Sequence, residues 1–185
     1  MTLAYTLDAT ADAVAQALGA DRNGDVWAGG AVRAGGYAPV VVRGRDGRRR
    51  IVPRQWGVPP PPRGQHIVTT VRNVESPFWI GTLRHPEMRC VVPATHFRAG
   101  GPRRWWRSPD APIMGFAGIW RDSEVPSFAV LTVAVDTLSG PAGMPTSVPL
   151  LLNAAEQMQW LAQGWKDVES LVRPVHPDRI AELGA

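Results

Sequence analysis

Arg103-Arg104-Trp105-Trp106-Arg107 interleaves aromatic faces with guanidinium groups. Such a set can stack on nucleobases and pair with phosphates, and each stacked base is worth about 1–3 kcal/mol. The same tryptophan pair fits a buried hairpin edge equally well. A second cationic run is Arg48-Arg49-Arg50. In a strand, Arg48 and Arg50 point to one side and Arg49 to the other. From Arg33 to Arg63, eight arginines stand against Asp46 alone, a local excess of seven. Lys166 is the only lysine. Arginine offers phosphate a planar fork where lysine offers a point charge. The net charge is +4, and the segment from Glu156 onward is mildly acidic. One basic half points to a polyanion-facing surface. A solvated hairpin end, or the codon bias of a GC-rich genome, yields the same arginines without any ligand.

Other chemistries find little support. His66, His85, His96 and His176 have no metal-ligand spacing, and Cys90 is the only cysteine. No intrachain disulfide and no cysteine metal cluster can form, so neither metal nor cofactor is expected. Cys90 reads as a core residue and His96 as the histidine nearest to any chemistry. Gly44-Arg45-Asp46-Gly47 is too short for a phosphate loop and reads as a turn. The chain suits a reducing compartment. It shows no basic leader followed by an apolar run and no bilayer-length apolar segment. It is therefore expected in the cytoplasm, away from membranes.

These residues need a scaffold. The 185 residues suit one domain spanning 1–185, long enough to bury a core, and 44% hydrophobic residues with eight tryptophans supply it. Nineteen glycines and eighteen prolines argue for many turns and against a long-helix bundle. Asp8 to Leu18 reads as a helix capped by Asp8 or Thr10 and ended by Gly19. Residues 20–37 read as glycine-rich loop. Strands are expected over 38–43 and 48–56, around a turn at 45–47, and over 66–72, 89–93, 113–120, 127–135, 148–152 and 171–175. Pro59 to Pro62 is a stiff connection. Short helices are expected at 77–83, at 177–183 and from Asn153 to about Leu161, the last opened by an Asn153/Glu156 capping box. The sum is an α+β domain, rich in short strands.

Six segments, in order, resemble the SOS response-associated peptidase (SRAP) family. They are Arg54-Gln55-Trp56-Gly57-Val58-Pro59, Thr70 to Trp79 with its Arg72, and Arg89-Cys90-Val91-Val92-Pro93-Ala94. Phe116-Ala117-Gly118-Ile119-Trp120, Phe128 to Val135 with Thr132, and Val148 to Leu152 with the helix after it complete the set. Together they span about residues 38–175. The resemblance implies a single SRAP-like domain of barrel-like antiparallel sheets with a few flanking helices. It also implies a positively charged groove for single-stranded or abasic-site DNA in a DNA-damage (SOS) context. In that family a cysteine at position 2 condenses through its amine and thiol with the abasic-site aldehyde. A glutamate and a histidine move protons, and an asparagine orients the sugar. The chemistry suits those groups: an α-amine, with a pKa of about 7.7–8.0, is far more readily neutral than a lysine, and sulfur is a strong nucleophile near neutral pH.

This chain departs from the pattern at all four catalytic positions. Thr2, Thr70, Ala99 and Met144 stand where the resemblance places cysteine, asparagine, glutamate and histidine. Arg72, the backbone-binding arginine, matches. The DNA-contact set implied by resemblance and charge together is Arg48, Arg50, Arg54, Trp56, Arg72, Trp105, Trp106 and Thr132. Three functions follow. The first is a catalytically degenerate domain that binds single-stranded or abasic-site DNA. The second is a weak abasic-site crosslinker or lyase acting through the Thr2 α-amine, where a hydroxyl is a much poorer ring-closing nucleophile than a thiol. The third is a protein-interaction module that reuses the fold without DNA; no protein partner is named by the sequence.

Overall fold

The computed structural model describes residues 3–136, 138, 140 and 142–184. It is an α+β fold dominated by strands. The chain opens with β1 (Ala4–Leu7), α1 (Ala11–Leu18) and β2 (Gly30–Val32). A long hairpin follows, β3 (Tyr37–Arg43) and β4 (Arg49–Trp56), then β5 (Thr70–Val71) and α2 (Pro77–Leu83). Next come β6 (Arg89–Ala94), β7 (His96–Arg98), β8 (Trp105–Arg107), β9 (Met114–Arg121) and β10 (Ser127–Ala134). The chain ends with β11 (Ser147–Pro149), β12 (Leu151–Leu152), α3 (Ala154–Ala162), α4 (Trp165–Val168) and β13 (Ala181–Glu182).

The larger sheet curls into a ring. Its path runs β10-β4-β3-β6-β9, and β9 pairs again with β10. The ring is not a regular barrel. β10 is parallel to β4 and to β5 but antiparallel to β9 and β11, so each of its edges is shared by two partners in succession. The apolar runs of β6, β9 and β10 are buried almost throughout, as expected of strands covered on both faces. The second sheet, ordered β13-β8-β7-β1-β2, lies against the ring. Tyr5 of β1 meets the Trp56 ring edge-on at 5.0 Å and Phe116 at 6.1 Å. Phe97 meets Phe116 at 5.8 Å. These aromatics join the two sheets through the core.

α1 begins where Thr10 accepts the Ala13 amide and ends at Gly19, whose φ of 57° is a left-handed cap. α3 carries the expected capping box, with Asn153 and Glu156 each accepting from the other's backbone. Its Trp160 donates to the carbonyls of Cys90 and Gly118 and so fixes the helix on the ring. Arg89 is fully buried beneath it and donates to the Gln163 carbonyl at the end of α3. Burial pushes the Arg89 guanidinium down to about 10.

Several expected boundaries shift. The 148–152 strand breaks at Leu150, whose amide bonds Leu131 and whose carbonyl bonds Ala117. The chain changes partner there, from β10 to β9. Residues 171–175 form no strand: Pro174 offers no amide, and Val175 makes one bridge to Val135. The terminal segment is a single 3₁₀ turn at Pro177–Arg179, because Ala181 and Glu182 pair with β8 as β13. β1, β2, β7 and β8, three or four residues each, make the second sheet in segments that sequence reading left as loop or unassigned. No helix among the described residues is long and apolar enough to cross a membrane.

Candidate nucleic-acid interface

The residues singled out by sequence fall into two groups. β5 continues into Arg72 beside β10, and the register Val130↔Thr70 and Leu131↔Val71 brings Arg72 level with Thr132. The Thr132 hydroxyl lies 3.5 Å from the Val71 carbonyl. Arg72 to Glu75 and Thr132 to Ala134 line a groove of about 310 Å³ together with Val172, Arg173 and Pro174, so the Glu75 carboxylate shares the groove with Arg72 without an ion pair to it. Arg173 and Pro174 also border a neighbouring hollow of about 450 Å³ that reaches Leu138 and His176. Arg72 is exposed, and no acid pairs with it among the described residues. Arg173 is held by Glu156 at 2.9 Å.

Ala99 and Met144 come together at the adjoining edge. The Ala99 amide bonds the Arg104 carbonyl at 3.2 Å, and its carbonyl accepts the Trp106 indole N–H at 2.9 Å. Arg104 donates to the Gly143 carbonyl, one residue before Met144. It also forks onto Glu182 at 2.7 and 2.6 Å. The hydrogen bonds between these side chains raise the Arg104 pKa and lower that of Glu182. This clasp fixes residues 142–145 against β8. β1 reaches the same edge, since Ala4 pairs with Arg98, the neighbour of Ala99. β5 is tied to β1 through Trp56, which packs on Tyr5 and donates to the Thr69 carbonyl at 3.1 Å. Ala99 and Met144 thus sit together, Thr70 is linked to the same region through Trp56, and Thr2 lies outside the described residues. The side chains of Thr70, Ala99 and Met144 are an alcohol, a methyl and a thioether, which hold no carboxylate or imidazole for proton transfer.

The other arginines are placed elsewhere. Arg48 and Arg50 sit at the opposite end of β4 from Trp56, about 20 Å away at roughly 3.3 Å per residue. Arg48 pairs with Asp21 at 2.8 Å, and Arg50 forks onto Asp46. Arg54 is half-buried, with its guanidinium 4.5 Å above the Trp120 ring, and burial lowers its pKa. Trp56 and Trp106 are core residues, 2% and 3% exposed, so they offer a ligand position and not contact. Trp105 is half-exposed and points the other way. Cys90 is fully buried, and burial raises its thiol pKa far above the ordinary range, so it is no nucleophile. His96 lies 3.3 Å from the Thr6 hydroxyl and 3.8 Å from Asp8. Among the described residues, no three of His, Cys, Asp or Glu converge on a metal-sized site.

No protein-family model matches the chain, and no curated protein does. Solved structures do. A protein from Bordetella bronchiseptica aligns over 98% of both chains with a TM-score of 0.75 and 17% identity. A phage-related protein from the same organism gives 0.73 and 18%, covering 98% of this chain and 93% of that one. A protein from Bacteroides thetaiotaomicron gives 0.72 and 17%, covering 97% and 90%. Likeness at this identity establishes a shared fold over nearly the whole chain.

Arg98 and Arg173 were absent from the sequence-derived contact set. The signal for Arg98 is the polar–apolar–polar pattern of His96-Phe97-Arg98, which is three residues long and too short to register as a strand.

Proposed function

We propose that this protein is a catalytically degenerate SRAP-like domain that binds single-stranded DNA, including DNA with abasic sites, through the Arg72 groove. One observation carries the reading. Arg72 stands exposed in a groove beside Thr132, with no ion pair among the described residues. An arginine without an acid partner keeps its full donor fork for a phosphate. The segment order that resembles the SRAP family supports the same ligand. The side chains found at the family's catalytic positions argue against covalent capture.

The test is binding of a fluorescent oligothymidylate across a salt series. Affinity should fall steeply with salt, and Arg72→Ala should flatten the log–log slope by about 0.7, the loss of one single-strand phosphate contact. Binding insensitive to salt and to Arg72→Ala removes this reading and leaves a protein-interaction module. Borohydride treatment with an abasic oligonucleotide should trap no adduct. A trapped species from Met1-free protein transfers the function to the Thr2 amine.

A further inference from the structure

The second sheet has an open face whose chemistry the groove does not use. The registers Tyr5↔Val32, Tyr5↔Phe97 and Phe97↔Trp106 place four buried side chains in one inward row. Alternation then points their neighbours outward. One outward row runs Ala4–Arg98–Trp105, with exposed Arg33 at the β2 end and exposed Leu183, whose amide bonds the Trp105 carbonyl, at the other. The next row runs Ala31–Thr6–His96, with Arg107 and Ala181 paired beyond it.

Arg33, Arg98 and Arg107 have no ion-pair partner among the described residues. The Arg98 Nε is enclosed and bonds nothing. A half-buried donor without an acceptor is a cost that an arriving anion removes. Asp8 lies 3.8 Å from His96, and Glu182 is turned to Arg104. Ala4, Thr6, Ala31 and Ala181 keep the surface low, so a flat ring can lie on it. Cations and an aromatic on a cleared sheet face match the requirements of single-stranded nucleic acid, whose bases stack while its phosphates pair with arginine. Arg98 is the last residue of β7, and Ala99 follows it directly.

We propose that a single strand leaving the Arg72 groove continues over the β2–β1–β7–β8 face, stacking a base on Trp105 and placing phosphates on Arg98, Arg107 and Arg33. The proposal takes its ligand class from the groove reading and adds a second contact surface to it.

Two labelled oligothymidylates test it, one of about five nucleotides and one of about fifteen. The longer should bind more tightly and quench tryptophan fluorescence. Arg98→Ala with Arg107→Ala should lower its salt slope by about 1.4 and leave the shorter one unchanged. Trp105→Ala should weaken the longer oligonucleotide about tenfold and remove the quenching. Ala31→Glu, which deletes no contact, should weaken it too, and circular dichroism checks each fold. If the face variants leave the longer oligonucleotide unaffected while Arg72→Ala weakens both, the face proposal falls and the groove reading stands. If Arg72→Ala changes nothing while the face variants weaken binding, the groove reading falls and the face remains. Absence of binding by either oligonucleotide ends both.

Discussion

The tip of the β3–β4 hairpin and the outer face of the β2–β1–β7–β8 sheet both display arginine, and they differ in how much of it is paired. At the hairpin, Arg48 is paired with Asp21 and Arg50 with Asp46, whereas Arg43 and Arg45 have no ion pair among the described residues. Arg49 lies against Gly19, where the carbonyls at the end of α1 face it. On the sheet face, Arg33, Arg98 and Arg107 meet no carboxylate among the described residues. A paired guanidinium has its donors occupied and its field largely cancelled at a few ångströms. Charge density along the chain therefore does not show which arginines are ion-paired. One of the acids that pair at the hairpin is Asp21, almost thirty residues before Arg48, and no local window joins them.

The largest effect should separate the two sides of β8. Trp106→Ala removes a buried ring and its indole bond to Ala99, and should cost about 3–5 kcal/mol of stability in urea unfolding. Trp105→Ala, one residue away on the outer side, should cost far less stability while weakening strand binding. Equal losses from the two would mean that the outer face is covered, and the contrast with the hairpin would disappear.

A smaller effect should come from exchanging the roles of the two regions. Asp21→Ala with Asp46→Ala frees Arg48 and Arg50, and should raise affinity for single-stranded DNA severalfold at low salt through added nonspecific attraction. In the unaltered protein, Arg48→Ala should change binding less than twofold. A loss as large as that from Arg72→Ala would put the hairpin on the strand's path.

The ring was legible because its strands are long and apolar. Phe128 to Val135 and Arg89 to Pro93 announce buried strands, and the capping box fixes the start of α3 to the residue. The second sheet was not legible. Ala4–Leu7 and His96–Arg98 hold their alternation for only three or four residues, and Gly30–Val32 hides in a glycine-rich stretch. Their strand identity comes from pairing with one another across some ninety residues, which no local pattern carries. The same limit governed the site. Arg72 and Thr132 were singled out by resemblance, whereas the half-buried Arg98 follows only from its register beside Trp105. Trp56 entered the contact set by resemblance and Trp106 under two equal readings, stacking platform or buried hairpin edge, because an aromatic next to arginine looks alike in sequence whether it faces solvent or the core; both rings are buried.

The smallest effect is a titration. Asp46 is held near 2, against an ordinary value of 3.8, chiefly by its side-chain hydrogen bond to Arg50 and then by the Arg48 amide. A carboxylate with a lowered folded-state pKa contributes its stabilisation above the ordinary value and loses it as pH falls from about 4 through about 2. Both side chains are substantially exposed, so the change in overall stability should be slight. The informative readout is the Asp46 carboxyl carbon followed by NMR. Its midpoint should lie well below that of an ordinary aspartate and return toward it in Arg50→Ala. Across the neutral and mildly acidic range the Arg50–Asp46 pair then persists, and strand binding should show no step from it. An ordinary midpoint for Asp46 in the unaltered protein would mean that Arg50 swings free, and the hairpin would become as available to phosphate as the sheet face.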